Sequence, residues 1–217
     1  MAKTIYTMWK RCEADYAALP AVRWLVKKNV QERSYGELAA AVTAIRKGFA
    51  AQGFAHTHIA LIGLSSANWI EAYMAVVTSN NAAVPMDAGL PAEDIIDLVF
   101  RSDSEGVFLD EKFAALVPLI KANCPKVRKI WMLSGEAVEG TETVADLKAE
   151  GEGHEEPEPP AEEDVSMIVY TSGTTGKARA LCSPSATCIP ISKRFSTTRI
   201  PGWYFSAFFP FTTPSVW

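Results

Sequence analysis

The sequence predicts an α/β fold: a mainly parallel sheet with helices on both faces. Two observations predict it. Short apolar runs alternate with one-face helical stripes from Ser34 to Leu133. Those runs are continuously apolar, as strands buried on both faces are, and lack the polar alternation of a half-solvated sheet. Alternation of this kind implies right-handed crossovers, which carry helices to both sides of the sheet.

The elements follow in order. Ser34-Tyr35-Gly36-Glu37 is a Ser-x-x-Glu capping box, which satisfies free amides at a helix start. The helix it opens carries Leu38, Val42, Ile45 and Phe49 at three- and four-residue spacing, with Gly53 as its expected stop. His58 to Leu64 is the first strand. Ser66-Ala67-Asn68 opens a second helix with Trp69, Ile70, Tyr73, Met74 and Val77 on its inner side. Ala82 to Met86 is a second strand. Pro91-Ala92-Glu93-Asp94 starts a third helix, with proline and acids where free amides and the helix dipole favour them. Gly106 to Leu109, Phe113 to Ala122 and Lys129 to Leu133 read as strand, helix and strand. Val165 to Tyr170 is apolar and partly β-branched, and is the last strand. Trp69 and Trp131 fit core positions, and no internal repeat is present.

Bulk properties exclude several functions. Hydrophobic content of 48 % and charged content of 21 % suit an ordinary globular chain. A net charge of −4 provides no strong basic field, so nucleic acid or an anionic membrane is not expected as the main partner. No apolar run is long enough to be a transmembrane segment. Met1 to Lys10 lack the apolar stretch of a signal peptide. Cys12, Cys124, Cys182 and Cys188 form no C-x-x-C pair, so neither a zinc site nor a disulfide framework is expected, and the chain reads as cytoplasmic. His56 and His58 have His154 as their only fellow histidine, so they read as a surface turn and not as metal ligands. No metal site is assigned.

Composition also sets boundaries. Residues 1–177 read as one folded domain portion, within which 148–164 is an acid-, Gly- and Pro-rich solvated loop. From Ala178 to Trp217 there is no Asp or Glu, although the chain has 25. Periodicity vanishes there, and 178–217 is expected to be a poorly structured tail.

The chemistry is concentrated where the last strand ends. Thr171-Ser172-Gly173-Thr174-Thr175-Gly176-Lys177 follows it directly. The two glycines permit backbone conformations closed to other residues and let amides approach a ligand closely. Successive N–H groups in such a bend form an anion nest. The hydroxyls of Thr171, Ser172, Thr174 and Thr175 add donors, and Lys177 adds one full positive charge. Donors plus one cation after a strand suit a polyphosphate. The pattern is not the G-x-x-x-x-G-K loop closed by Ser or Thr: residue 171 is Thr where glycine is required, and Ala178 follows the lysine. A polar hairpin turn with no ligand is the bland alternative.

Tyr170 to Lys177 resembles the phosphate loop of the adenylate-forming family, which includes acyl-CoA synthetases, peptide-synthetase adenylation domains and beetle luciferases. Upstream, Ser34-Tyr35-Gly36-Glu37-Leu38 resembles that family's T-Y-x-E-L helix start. Asn68 to Ala75 resembles its N-S-x-E-F-x-x-A helix, and Ala83 to Glu93 resembles its V-P-L-N-x-x-L-P-x-E stretch. The likeness covers roughly residues 25 to 177. It implies the N-terminal portion of an AMP-forming acid–CoA ligase using ATP, Mg²⁺ and coenzyme A on a small carboxylic acid, a fatty or other acyl acid. Thr171, Ser172, Gly173, Thr174, Thr175, Gly176 and Lys177 would hold the β- and γ-phosphates, with no catalytic residue assigned. Two other readings are a peptide-synthetase-type adenylation domain fragment and a non-catalytic nucleotide-binding module.

The family pattern after the lysine, P-K-G-V-x-x-S/T-H-x-N, is absent. Permitted codons for Ala178 to Thr187, read from each third base, spell K-G-V-M-L-S-Q-R-N, and those for Ser206 to Trp217 spell S-V-L-P-V-H-H-T-F-C-L. Both strings resemble the family's next segments, so the tail is expected to be translated out of frame. A coding sequence uninterrupted across Gly176 to Arg179 would refute this. The family's adenine, ribose and magnesium contacts and its C-terminal lysine cannot be mapped here, so the chain is expected to be inactive by itself.

Overall fold

The computed structural model describes residues 4–171 and 179–185. Helix α1 (Ile5–Tyr16) opens on Thr4, whose hydroxyl accepts from the Thr7 amide. It leads into an antiparallel hairpin of β1 (Pro20–Val26) and β2 (Asn29–Ser34). Helix α2 (Tyr35–Ala51) starts at the predicted box: the Glu37 amide donates to Ser34 Oγ at 3.2 Å, and the Ser34 amide donates to the Glu37 carboxylate at 2.8 Å. These hydrogen bonds, the backbone one first, hold the Glu37 carboxyl below its ordinary value of 4.5. A depressed carboxyl stabilises the fold above its unfolded-state value and loses that contribution as pH falls through the folded-state value. Glu37→Gln is therefore expected to lower the thermal midpoint at neutral pH. Its deficit against the parent should close as the pH is taken below 4.5; a deficit constant with pH would exclude this role for the charge.

Strand and helix then alternate. They run β3 (His58–Ile62), α3 (Ala67–Val77), β4 (Ala82–Met86), α4 (Ala92–Arg101) and β5 (Ser104–Leu109). A 3₁₀ turn (Glu111–Leu116) leads into α5 (Val117–Asn123). After it come β6 (Lys129–Met132), β7 (Glu142–Thr143), α6 (Val144–Glu150), β8 (Val165–Thr171) and β9 (Arg179–Pro184). The sheet order is β7-β6-β5-β3-β4-β8-β9, with every neighbouring pair parallel except β8–β9.

Both faces of the sheet are covered, because successive strand residues point to opposite sides. Ile59, Leu61, Phe108 and Trp131 pack with residues of α1, α2, α3 and α6. Ala60, Ile62, Val84, Val107, Leu109, Ile130 and Met132 pack with residues of α4, the 3₁₀ turn and α5. The expected continuous apolar strands arise from this two-sided burial.

Three details differ from the sequence reading. The helix expected over Phe113 to Ala122 is a 3₁₀ turn followed by a short α-helix. Proline stands in the first turn of α5, where its missing N–H costs nothing. The loop expected at 148–164 begins later, because α6 extends to Glu150. Another capping box, Thr143 with Asp146, starts that helix, and Leu147 buries against α2. Gly48 allows the approach: a Cβ there would lie 2.3 Å from the Leu147 carbonyl oxygen. The rest of the acidic stretch is mostly exposed, but Glu156 pairs with buried Arg46, which also donates to the Pro157 carbonyl at 3.1 Å. Finally, the tail expected to lack structure from Ala178 onward begins with a strand, Arg179–Pro184, held by the β8 ladder. Residues 186–217 lie outside the described residues.

Candidate functional site

β8 positions the candidate site. It pairs with β4 through Ala83 and Met167, in parallel, so its end at Thr171 lies at the carboxyl edge of the sheet. Open α/β sheets bind ligands at that edge, where loops and helix starts supply polar groups. Of the predicted phosphate residues, Thr171 is the last residue of β8. Ser172, Gly173, Thr174, Thr175, Gly176 and Lys177 lie outside the described residues.

What flanks them is defined. Thr171 is the register partner of Arg179, so 172–178 joins two antiparallel neighbouring strands. Strands therefore flank this segment on both sides. This separates it from the strand-to-helix loop of P-loop nucleotide binding, in agreement with the missing glycine at 171 and the missing hydroxyl at 178.

Neighbouring elements brace β8. The Tyr73 hydroxyl of α3 donates to Met167 Sδ at 3.4 Å. Tyr73 also stacks on Trp69, with ring centroids 5.3 Å apart and planes 8° apart. On the other face, the Arg101 guanidinium lies 5.8 Å from the Tyr170 ring centroid. Burial pushes the Tyr170 phenol above its ordinary value, against the opposing pull of Arg101. Periodicity marks Tyr73 only as an inward-facing residue. Its contact with β8 needs the sheet order, in which β8 inserts beside β4, and no local signal carries that.

Other candidates take their places as structural groups. His58 Nδ1 lies 2.6 Å from the Ser102 carbonyl oxygen. His56 precedes it with φ 55°. Among the described residues, no group of three His, Cys, Asp or Glu side chains is arranged to hold a metal ion. No helix among them is long and apolar enough to cross a membrane.

Comparison with known proteins agrees with this fold. The chain is 28 % identical over 202 residues to long-chain-fatty-acid–CoA ligase 5 of Rattus norvegicus, covering 81 % of this chain and 28 % of the relative. It is 31 % identical over 143 residues to the ligase of the same name from Mus musculus, covering 58 % of this chain and 21 % of that one. The chain thus spans less than a third of the length of either relative. Among solved structures, the anthranilate CoA ligase AuaEII in complex with anthranoyl-AMP superposes with a TM-score of 0.78 at 16 % identity, covering 89 % of this chain and 37 % of that one. The N-terminal domain of FACL13 from Mycobacterium tuberculosis superposes with a TM-score of 0.67 at 19 % identity, covering 85 % and 45 %. At these identities the structures speak for a shared fold. The family model for AMP-binding enzymes matches residues 9–182, most of the chain, and this chain belongs to that family.

Proposed function

We propose that this chain is the N-terminal, phosphate-holding part of an ATP-dependent, AMP-forming carboxylic acid–CoA ligase. One observation carries the reading: in a member of the AMP-binding family, the hydroxyl-rich segment from Thr171 to Lys177 leaves a parallel strand at the carboxyl edge of the sheet. The reaction has two steps. A carboxylate oxygen attacks the α-phosphorus of ATP; the acyl–phosphate bond forms, the α–β phosphoanhydride breaks, and pyrophosphate leaves. The thiol of coenzyme A then attacks the acyl carbon, and AMP departs as the thioester forms.

The part played by this chain lies in the first step. Thr171, Ser172 and Thr174 would donate to β- and γ-phosphate oxygens, and the backbone amides at Gly173 and Gly176 would complete the cradle. Thr175 is a further hydroxyl donor. Lys177 would offset charge that accumulates on pyrophosphate as it leaves. Fixed donors aimed at developing charge are the main source of acceleration in such transfers. Mg²⁺, when bound, would share that charge. The names of the rat and mouse relatives support a fatty acid as the substrate, and the scattered free cysteines support a cytoplasmic setting.

Holding phosphates does not complete the reaction. The chain spans 28 % of the rat ligase, and we assign it no residue for the adenine, the ribose or the second step. In a coupled pyrophosphate-release assay with ATP, Mg²⁺ and a panel of fatty and aromatic acids, the 217-residue chain is expected to give no turnover above blank. Acid-dependent release well above blank would overturn this part of the proposal.

A further inference from the structure

Apolar side chains of the chain are mostly folded inward, but one arm carries several that are not. The distal half of the β1–β2 hairpin is exposed from Leu25 through Glu32. Leu25 is 63 % exposed, Val30 62 % and Val26 45 %. Leu25 and Val30 are register partners, so they stand side by side on one face of the ribbon, while Val26, opposite Asn29, points to the other face. The root of the arm is fixed: Ala21 and Val22 are buried, and Arg33 pairs with the buried Glu71 carboxylate.

The turn at the tip is unusual in composition. It is Lys27-Lys28, with φ of 46° and 74°. A two-residue turn with both φ values positive ordinarily takes Asn or Gly, because a side chain strains that conformation. Strain at an exposed point is a pointer to function when the residues there carry chemistry. Here they carry charge, and neither lysine has an ion-pair partner among the described residues. The arm holds Arg23, Lys27, Lys28 and Arg33 against one carboxylate, Glu32, in a chain whose net charge is −4. The positive field is therefore local to the tip.

We propose that the hairpin tip docks on an anionic lipid surface, with Leu25 and Val30 entering the headgroup boundary while Lys27 and Lys28 meet acidic headgroups. A few apolar side chains ringed by lysines are the composition of an interfacial anchor. A second copy of the chain fits less well. The two side chains offer far less apolar surface than the about 800 Å² that a stable protein interface takes from each partner. The two lysines of a second tip would also repel these. The contact is weak and reversible, and is independent of the phosphate loop at the carboxyl edge of the sheet.

Co-sedimentation of the full chain with vesicles tests it. The chain should bind phosphatidylserine-containing vesicles saturably and pure phosphatidylcholine vesicles at least ~10-fold more weakly. Lys27→Gln with Lys28→Gln should weaken binding by about 10- to 30-fold, and raised salt should do the same. Leu25→Asp with Val30→Asp should remove binding while the far-ultraviolet circular dichroism stays that of the parent, since both positions face solvent. Absence of binding to phosphatidylserine vesicles at low salt would overturn the proposal, as would retention of binding by both double variants. A dimer in sedimentation equilibrium that Leu25→Asp with Val30→Asp dissociates would transfer the surface to a second copy and overturn it too.

Discussion

Replacing Trp131 with alanine is expected to destabilise the chain by about 3–5 kcal/mol, a large share of the 5–15 kcal/mol typical of a whole domain. Trp131 is fully buried in β6. Its ring centroid lies 4.9 Å from Phe108, 5.0 Å from Phe54 and 5.7 Å from Phe49, so it is the hub of an aromatic cluster between the sheet and α2. Its indole N–H donates to the Gln52 side-chain oxygen at 3.2 Å. Gly106 on the neighbouring strand leaves room for the ring: a Cβ there would lie 2.6 Å from it. Truncation would open a cavity between aromatic rings that cannot close without moving β5 or α2. Urea unfolding should show the midpoint fall sharply, and Trp131→Phe should recover much of the loss. A midpoint equal to the parent's would mean that the cluster contributes little.

Replacing Lys177 with alanine is expected to weaken ATP binding by ~10- to 100-fold while leaving the unfolding midpoint unchanged. Lys177 is the only full positive charge between Thr171 and Ala178, and the segment's other donors are neutral. A charge-assisted hydrogen bond contributes about 1.5–3 kcal/mol, which corresponds to that range. Lys177→Arg should recover part of the affinity, since it keeps the charge but alters the geometry. Lys126→Ala, at an exposed site just before β6 and so at the opposite, amino edge of the sheet, is the control and should leave ATP binding unchanged. A Lys177→Ala variant that binds ATP as the parent does would remove the lysine from the site.

Much of the fold could be read from the chain because its strands are short, apolar and bounded by turn residues, and its helices α2, α3 and α4 carry periodic stripes or starting signals. The capping box at Ser34 and Glu37 was legible because both partners are local. Elements that depend on distant partners were not. α1 has mixed polarity and gains its burial from Tyr35 and neighbouring core residues, which Trp9 approaches at 6.4 Å. The hairpin β1–β2 hides behind a Lys-Lys turn that no turn preference favours. Thr143 and Asp146 stand at capping-box spacing, but the acidic residues that follow α6 mask it in the sequence. β9 illustrates a further limit. Its residues have weak strand character alone, and pairing with β8 supplies the order. Of the site, the chemical character of 171–177 was legible from residue types and spacing. Its placement at the carboxyl edge of the sheet required the parallel pairing of β8 with β4.

Calorimetric titration of the 217-residue chain with ATP and with AMP, each in the presence of Mg²⁺, bears most directly on whether the segment after β8 holds phosphates. ATP should bind saturably at one site, inorganic tripolyphosphate should displace it, and AMP should bind far more weakly because it lacks the β- and γ-phosphates. Equal heats for ATP and AMP with no displacement by tripolyphosphate, or no heat with ATP at all, would contradict the account.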